Sequence, residues 1–375
     1  MTGGSKRESR PGAPLELMRN GRSDAPVLIT GGAGFVGSNL ADRLLARGLR
    51  VIILDNLSRP GVERNLEWLT RKHGESLRVE VADTRDASAV AAAVADARVV
   101  YHFAAQVAVT TSLDAPVHDF EINARGTLNV LEAIRARADP PPLFFTSTNK
   151  VYGSLDDIPL RRSGARYVPE DPVLRAYGVG EDRALDFHSP YGCSKGAADQ
   201  YVLDYARTYR IPAVVFRMSC VYGPHQFGNE DQGWIAHFLI RAIRGEPITL
   251  YGDGHQVRDV LYVQDLLDAF EAAVEHLPAL AGRAYNIGGG PANSVSLLEA
   301  VEAIGQLEGR RIQVVFDAWR PGDQRDYVSD TRRFQRATGW TPRIGLREGL
   351  ERVRDWLLAH GEVYAPAAGS MQEVV

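Results

Sequence analysis

Cysteine is nearly absent from the 375-residue chain: Cys193 and Cys220 are the only two, too few for a disulfide framework and without the paired spacing of a zinc site. A reducing cytoplasm is the expected setting, with no bound metal. Long apolar runs are also missing, since no stretch approaches the roughly 18 uninterrupted apolar residues of a membrane-spanning helix. The first two dozen residues are polar, are broken by Gly and Pro, and hold no apolar core of signal-peptide length. They read as a disordered leader over residues 1–25, and neither export nor membrane insertion is expected. Charge of neither sign dominates: 43 basic and 47 acidic side chains leave a net −4, with no long run of either. That balance excludes the electrostatic footprint of a nucleic-acid or membrane-surface binder and makes small-molecule chemistry the default. Lysine is scarce too, with Lys6, Lys72, Lys150 and Lys195 the only four among the 43 basic residues. Where charge alone is wanted this chain uses Arg, so each retained Lys hints at a need for a compact ammonium.

What is present is the composition of a soluble globular protein, 45% apolar and 24% charged. From Val27 onward, short β-branched runs alternate with helical segments, the signature of βαβ units and a parallel sheet. VLIT, RVIILD, LRVEVAD, RVVYHFAA, LFFTST and AVVFRMS read as strands buried on both faces. The expected fold class is therefore α/β, a doubly wound parallel sheet with a smaller C-terminal α/β lobe. Residues 26–220 form the large domain and residues 221–360 the small lobe, with AYNIGG assigned to the latter. An irregular insertion over 153–190, too long for an ordinary loop, reads as a lid, and residues 361–375 as a flexible tail.

Directly after the first strand comes Thr30-Gly31-Gly32-Ala33-Gly34-Phe35-Val36-Gly37, followed by a helix. Gly31, Gly34 and Gly37 allow a tight turn, a close approach to a pyrophosphate, and packing of the helix on the sheet, as in a Rossmann domain. The helix N-terminus supplies unpaired N–H groups and a positive dipole for the phosphates. The second strand ends at Asp55, where a carboxylate can accept hydrogen bonds from both hydroxyls of an adenosine ribose and repel a 2′-phosphate. NAD is thus expected over NADP, with Arg59 nearby as the one opposing feature. Asp83, ending the third strand, could reach the adenine edge or could cap the helix that follows.

The fifth strand ends in Thr146-Ser147-Thr148, and Tyr191-Gly192-Cys193-Ser194-Lys195 opens a later helix. At i and i+4, Tyr191 and Lys195 share a helix face. An ammonium beside the phenol would lower its pKa and let phenolate act as a base near neutral pH, with the Thr148 hydroxyl as its neighbour.

Taken in order, TGGAGFVG, FTSTNKVYG, SPYGCSK and VRDVLYVQDL resemble the extended short-chain dehydrogenase/reductase family over nearly the whole folded chain. STNKVYG, LDFHSPYGCSKGAADQYVLDYAR and QFGNEDQGW are most similar to its nucleotide-sugar epimerases, the branch acting at C2 of CDP-linked hexoses. The resemblance implies that Gly31, Gly34, Phe35, Val36 and Gly37 hold the pyrophosphate of NAD. It assigns the adenosine to Asp55, Asn56, Ser58 and Asp83, and the middle of the cofactor to Phe103, Ala104, Ala105 and Gln106. It places Tyr191 and Lys195 at the nicotinamide ribose and in catalysis, Thr148 at the reacting hydroxyl, and Arg258, Asn286, Arg320 and Asp323 at a nucleotide diphosphate. It further implies a homodimer formed through helices near 120–137 and 192–209.

Sugar dehydratases of that family carry an Asp-Glu pair directly after the threonine, because loss of water needs a proton donor and a base. Here Asn149 and Lys150 stand there, able to hydrogen-bond sugar hydroxyls but not to eliminate water. The expectation is C2 epimerisation of a nucleotide-diphosphate hexose through a transient 2-ketone. The alternatives are epimerisation at C4 or another carbon of a UDP- or GDP-sugar and, from a different class, a non-catalytic NAD sensor.

Overall fold

The structure, a computed structural model, describes residues 24–360. All but two residues of the expected leader, and the whole of the expected tail, lie outside the described residues. The first five strands, β1 (Val27–Thr30), β2 (Val51–Asp55), β3 (Leu77–Val81), β4 (Val99–His102) and β5 (Leu143–Thr148), alternate with helices. After a hairpin of β6 (Leu160–Ser163) and β7 (Arg166–Pro169), the chain returns to the sheet as β8 (Ala213–Met218). The remaining strands are β9 (Cys220–Tyr222), β10 (Ile248–Tyr251), β11 (Val257–Tyr262), β12 (Arg283–Ile287), β13 (Ser294–Ser296), β14 (Val314–Asp317) and β15 (Asp326–Tyr327).

The central sheet has seven parallel strands in the order β12-β8-β5-β4-β1-β2-β3. Successive side chains point to opposite faces, so each strand feeds two cores. Val27 and Ile29 of β1, Phe144 of β5 and Phe216 of β8 pack with Leu40 and Phe270 on one face. Leu28, Phe145 and Val215 pack with Val94, Leu131 and Val202 on the other. Helices cover both faces, which explains why the strand sequences run nearly continuously apolar. The strand order reverses between β1 and β4, and the crevice outside their carboxyl ends is the binding position of an open α/β sheet.

Two expectations need correction. AYNIGG does not join the small lobe: β12 pairs with β8, Tyr285 opposite Phe216, as an outer strand of the central sheet. Its alternate residues Tyr285 and Ile287 extend the same apolar face as Phe216, as does the helix Val263–Glu275 before it. The boundary at residue 220 is therefore crossed a second time. Nor is the insertion irregular. β6 and β7 pair antiparallel, and Asp171 caps the short helix Pro172–Tyr177 by accepting from the Val173 and Leu174 amides. Leu155, Ile158 and Val179 of the insertion form a core with Val151 and Tyr152, just before it, and Tyr327 of β15. It is also stitched to the small lobe: Tyr167 N donates to His255 O at 2.9 Å, Val179 N to Val328 O at 2.7 Å, and Arg166 forks onto Glu299.

The small lobe surrounds β11, flanked by β9, β13 and β15, beside the parallel pair β10 and β14. Its core gathers Phe238, Leu239, Leu250, Tyr262 and Ile304 under the helix Leu346–Ala359.

Candidate active site

The loop after β1 is tight for steric reasons. Gly31 has φ +68°, and a Cβ there would lie 2.6 Å from the Ala104 nitrogen at the end of β4. A Cβ on Gly37 would lie 2.3 Å from the Gly31 carbonyl oxygen. Gly34 caps the helix Phe35–Ala46 without any side-chain hydrogen bond, and no acidic residue stands in the first turn. The helix thus carries no carboxylate of its own in the first turn to compete for its opening amides. Phe35 and Val36 open the helix, while Phe103 N bonds to Thr30 O at 3.0 Å, keeping Phe103, Ala104 and Ala105 against the loop. Gln106 is held by Asn123 through its amide at 2.9 Å and by Ala108 on both ends of its own side chain.

Asp55 accepts the Ala33 amide at 3.0 Å and the Leu57 amide at 2.9 Å. Burial pushes its carboxyl up, and these backbone bonds work against that rise. Asn56 donates to Asp83 at 2.7 Å, with the Ser58 amide on its own oxygen at 3.0 Å. Arg85, chiefly by hydrogen bonding, holds Asp83 down to about 2. Asp86, not Asp83, caps the helix Ala87–Ala95. Arg59 donates to Gln232 at 2.6 Å, turned toward the small-lobe side. The glycine cradle, the uncapped helix start and a carboxylate one strand away are a donor and acceptor set that fits a dinucleotide.

At the carboxyl end of β5, Thr148 meets the helix Ser189–Tyr209. Pro190 stands in the first turn of that helix, where its missing N–H costs nothing. Tyr191 and Lys195 lie on the buried face, with the Tyr191 hydroxyl facing the Thr148 side chain. The expectation of an ammonium lowering the phenol needs correction. Burial pushes Tyr191 up to about 12; Thr148 opposes this and Asp119 adds to it. Lys195 Nζ instead donates to Thr146 O at 2.8 Å, 4.3 Å from the centre of the Phe145 ring, and burial pushes it down to about 8.

Three further residues support this corner and were missed. A π-turn over Glu121–Arg125 interrupts the helical run from Pro116 to Arg135 and aims Asn123 inward. Its Nδ2 donates to Gln106 O at 3.0 Å, to Asp119 at 3.1 Å and to Ser194 Oγ at 3.1 Å, and Ser194 donates to Asp119. The available signal was an Asp and an Asn at i and i+4 on an otherwise apolar helix face.

The segment 319–325 crosses from the small lobe to the end of β5. Asn149 Nδ2 donates to Gln324 at 3.1 Å, and Lys150 Nζ donates to Gly322 O at 2.9 Å with Asp323 at 3.7 Å. Arg258, also buried, approaches the same Asp323 oxygen at 3.9 Å. Burial first, then the Arg258 charge, brings Lys150 down to about 8, against the pull of Asp323. Gln324, which sequence reading passed over, fixes the crossing by donating to Gly153 O at 2.7 Å. Arg320 lies farther out, donating to Glu230 O at 2.6 Å and stacked 3.6 Å over the Tyr251 ring. Asn286 is a correction: fully buried, it accepts from Tyr152 at 2.7 Å and donates to Val179 O at 2.8 Å. With both ends of its amide engaged and no exposed surface, it serves to hold the insertion on β12. Among the described residues, no group of three or more His, Cys, Asp or Glu could hold a metal, and no helix is long and apolar enough to cross a membrane.

A doubly wound sheet with this loop at its switch point, and a threonine, tyrosine and lysine gathered at β5, defines a dinucleotide-dependent enzyme. The chain belongs to the NAD dependent epimerase/dehydratase family, whose sequence pattern matches residues 27–288. It is 41% identical to the CDP-paratose 2-epimerase of Salmonella typhi over 337 residues, 88% of this chain and 98% of that one. It is 32% identical to a putative UDP-glucose 4-epimerase of Methanocaldococcus jannaschii, over 88% of this chain and 98% of that one. The crystal structure of the Thermus thermophilus UDP-glucose 4-epimerase in complex with NAD is similar with a TM-score of 0.74 and 33% identity, covering 89% of this chain and 99% of that one.

Proposed function

We propose that the chain epimerises the hexose of a nucleotide-diphosphate sugar, with NAD as cofactor, and that the inverted carbon is C2 of a CDP-hexose. The observation that carries this reading is the end of β5. Thr148, Tyr191 and Lys195 gather there, and Asn149 and Lys150 stand where dehydratases resembling this chain place their acid and base. The likeness to CDP-paratose 2-epimerase favours CDP and C2 over other bases and carbons.

When bound, NAD supplies reversible acceptance of a hydride at the sugar carbon. Tyr191 takes the proton of the hydroxyl at that carbon and later returns it, with Thr148 sharing the hydrogen bond. A phenol raised by burial is a strong base once ionised, and Lys195, on the same buried helix face and anchored to the Thr146 carbonyl, faces the nicotinamide ribose. Asn149 and Lys150 hold sugar hydroxyls so that the ketone can present its other face. Arg258 is a buried cation whose nearest carboxylate is 3.9 Å away, which suits it to a diphosphate, with Arg320 and Asp323 beside it. A C4 epimerase of a UDP- or GDP-sugar is the second reading, favoured by the likeness to the 4-epimerases. The chain acts as a homodimer in either case: Val117, Phe120, Tyr201 and Tyr209 are exposed on neighbouring helices, and sedimentation should give twice the chain mass.

NMR analysis of products from a panel of CDP-, GDP- and UDP-hexoses identifies base, sugar and carbon together. In deuterium oxide the product should carry no deuterium at C2, and substrate deuterated at C2 should keep its label within the same molecule. Solvent deuterium at C2 overturns direct oxidation there. Exchange at C3 or C5 points instead to oxidation at C4 followed by enolisation.

A further inference from the structure

Ala33 sits inside the glycine loop, and side chains hold both of its backbone groups. Its N–H donates to Asp55 at 3.0 Å, and its carbonyl accepts from Asn65 Nδ2 at 3.0 Å. Asn65, on the helix Val62–His73, is buried, and the same Nδ2 also donates to the carbonyl of His225 at 3.1 Å. Two carbonyls at one end of the amide force its oxygen to the other side, where it meets His225 Nδ1 at 3.1 Å. That oxygen only accepts, so Nδ1 carries the proton. Burial pushes the His225 imidazole down to about 4, so the ring is neutral in this tautomer.

The ring is stacked 3.8 Å from Trp68 and lies 4.9 Å from Trp356, contacts that draw in both lobes. His225 has φ +65°, a left-handed conformation that a non-glycine residue keeps only when its surroundings hold it. The segment that follows lies over the turn after β2. A Cβ on Gly61 would lie 2.8 Å from the Phe227 ring, and Gln232 accepts from Arg59 at 2.6 Å. None of these residues has a part in the proton transfers above.

We propose that Asn65 and His225 are a positioning pair for the dinucleotide. They lock the glycine loop to the segment 224–233, which covers the adenosine end of the site beside Asp55 and Arg59, so that the cofactor stays bound from one turnover to the next. The proposal rests on the NAD reading above. Neither residue touches the ligand: Asn65 acts on the main chain of the loop, and His225 acts through Asn65.

The test is the rate at which purified enzyme exchanges its bound NAD for labelled NAD. His225→Phe keeps an aromatic ring beside Trp68 and Trp356 but loses the Nδ1–H, and should release NAD at least about tenfold faster, as should Asn65→Ala. The double variant should be no faster than either single one, because the pair acts as a unit. His225→Asn tolerates the left-handed backbone and restores a donor, so it should recover slow release. With saturating added NAD, kcat of all variants should stay within about twofold of the parent. Parental release rates in His225→Phe and Asn65→Ala overturn the proposal. Should neither fold, Gln232→Ala, which unhooks the segment from Arg59, must release NAD faster, and no change there overturns it equally. A parent enzyme that neither carries nor binds NAD defeats the cofactor reading itself, before any variant is compared.

Discussion

On the proposed cofactor side of the crevice, the residues come from short consecutive stretches, 31–37, 55–58 and 103–106, each at the carboxyl end of a strand. Main-chain groups do most of the work there, and the side chains that matter either are absent, as at Gly31 and Gly37, or bond to main chain, as Asp55 does. On the proposed sugar side, Thr148 and Lys150, Tyr191, Arg258, and Asp323 come from four separate segments that only the fold brings together. A backbone cradle depends on local geometry and is most sensitive at its glycines and at the few side chains that hold its main chain. A side-chain pocket can be retuned one residue at a time, which is how one scaffold can serve different sugars.

The largest expected effect breaks the sugar side while sparing the cofactor side. Tyr191→Phe should lower turnover at least about 10²-fold with NAD content unchanged, and near-parental turnover would remove Tyr191 from the proton transfers. Lys150→Met should lower kcat/KM for the nucleotide sugar by about 10-fold or more with NAD still retained, because an ammonium at that position has a carboxylate and a carbonyl to hold as well as a substrate. Equal kcat/KM would show that the charge serves only to anchor Gly322.

Breaking the other side should give the reverse pattern. Asp55→Ala should weaken NAD about 10-fold and shrink the preference over NADP, with kcat at saturating NAD little changed. An unaltered NAD/NADP ratio would move ribose recognition away from Asp55.

The smallest effect separates the sides by pH. Lys150 and Lys195 are pushed from an ordinary value of 10.5 to about 8, so between those values the unfolded chain binds more protons than the folded one, and stability rises with pH. The gain ends near pH 10, where tyrosines of the unfolded chain ionise before the buried ones and the sign reverses. Activity that needs the Lys195 ammonium should fall over the same window. Urea denaturation at about pH 7.5 and about pH 9.5 should show the rise, and Lys150→Met should flatten it. A slope of opposite sign would mean that neither ammonium is desolvated.

The sequence by itself determined the doubly wound sheet, the glycine loop with Asp55, and the spacing of Tyr191 and Lys195, because each follows from rules that act within a few residues. Apolar runs become buried strands, a tight turn demands glycine, and i and i+4 share a helix face. The tertiary structure decided what depends on burial and on partners distant in the chain. It moved β12 into the central sheet beside β8, since only packing shows which apolar face Tyr285 continues. It turned Asn286 from the diphosphate to Tyr152 and Val179, brought Asn123 inward through a π-turn, and placed Gln324 across the gap to Asn149. It also reversed the sign expected for Tyr191: the i+4 spacing sets Lys195 on the same helix face, but its ammonium finds the Thr146 carbonyl, and desolvation of the buried phenol outweighs the lowering influence of Thr148. Spacing fixes which residues share a face, whereas pKa is set by the dielectric and the charges around a group, and those exist only once the chain has folded.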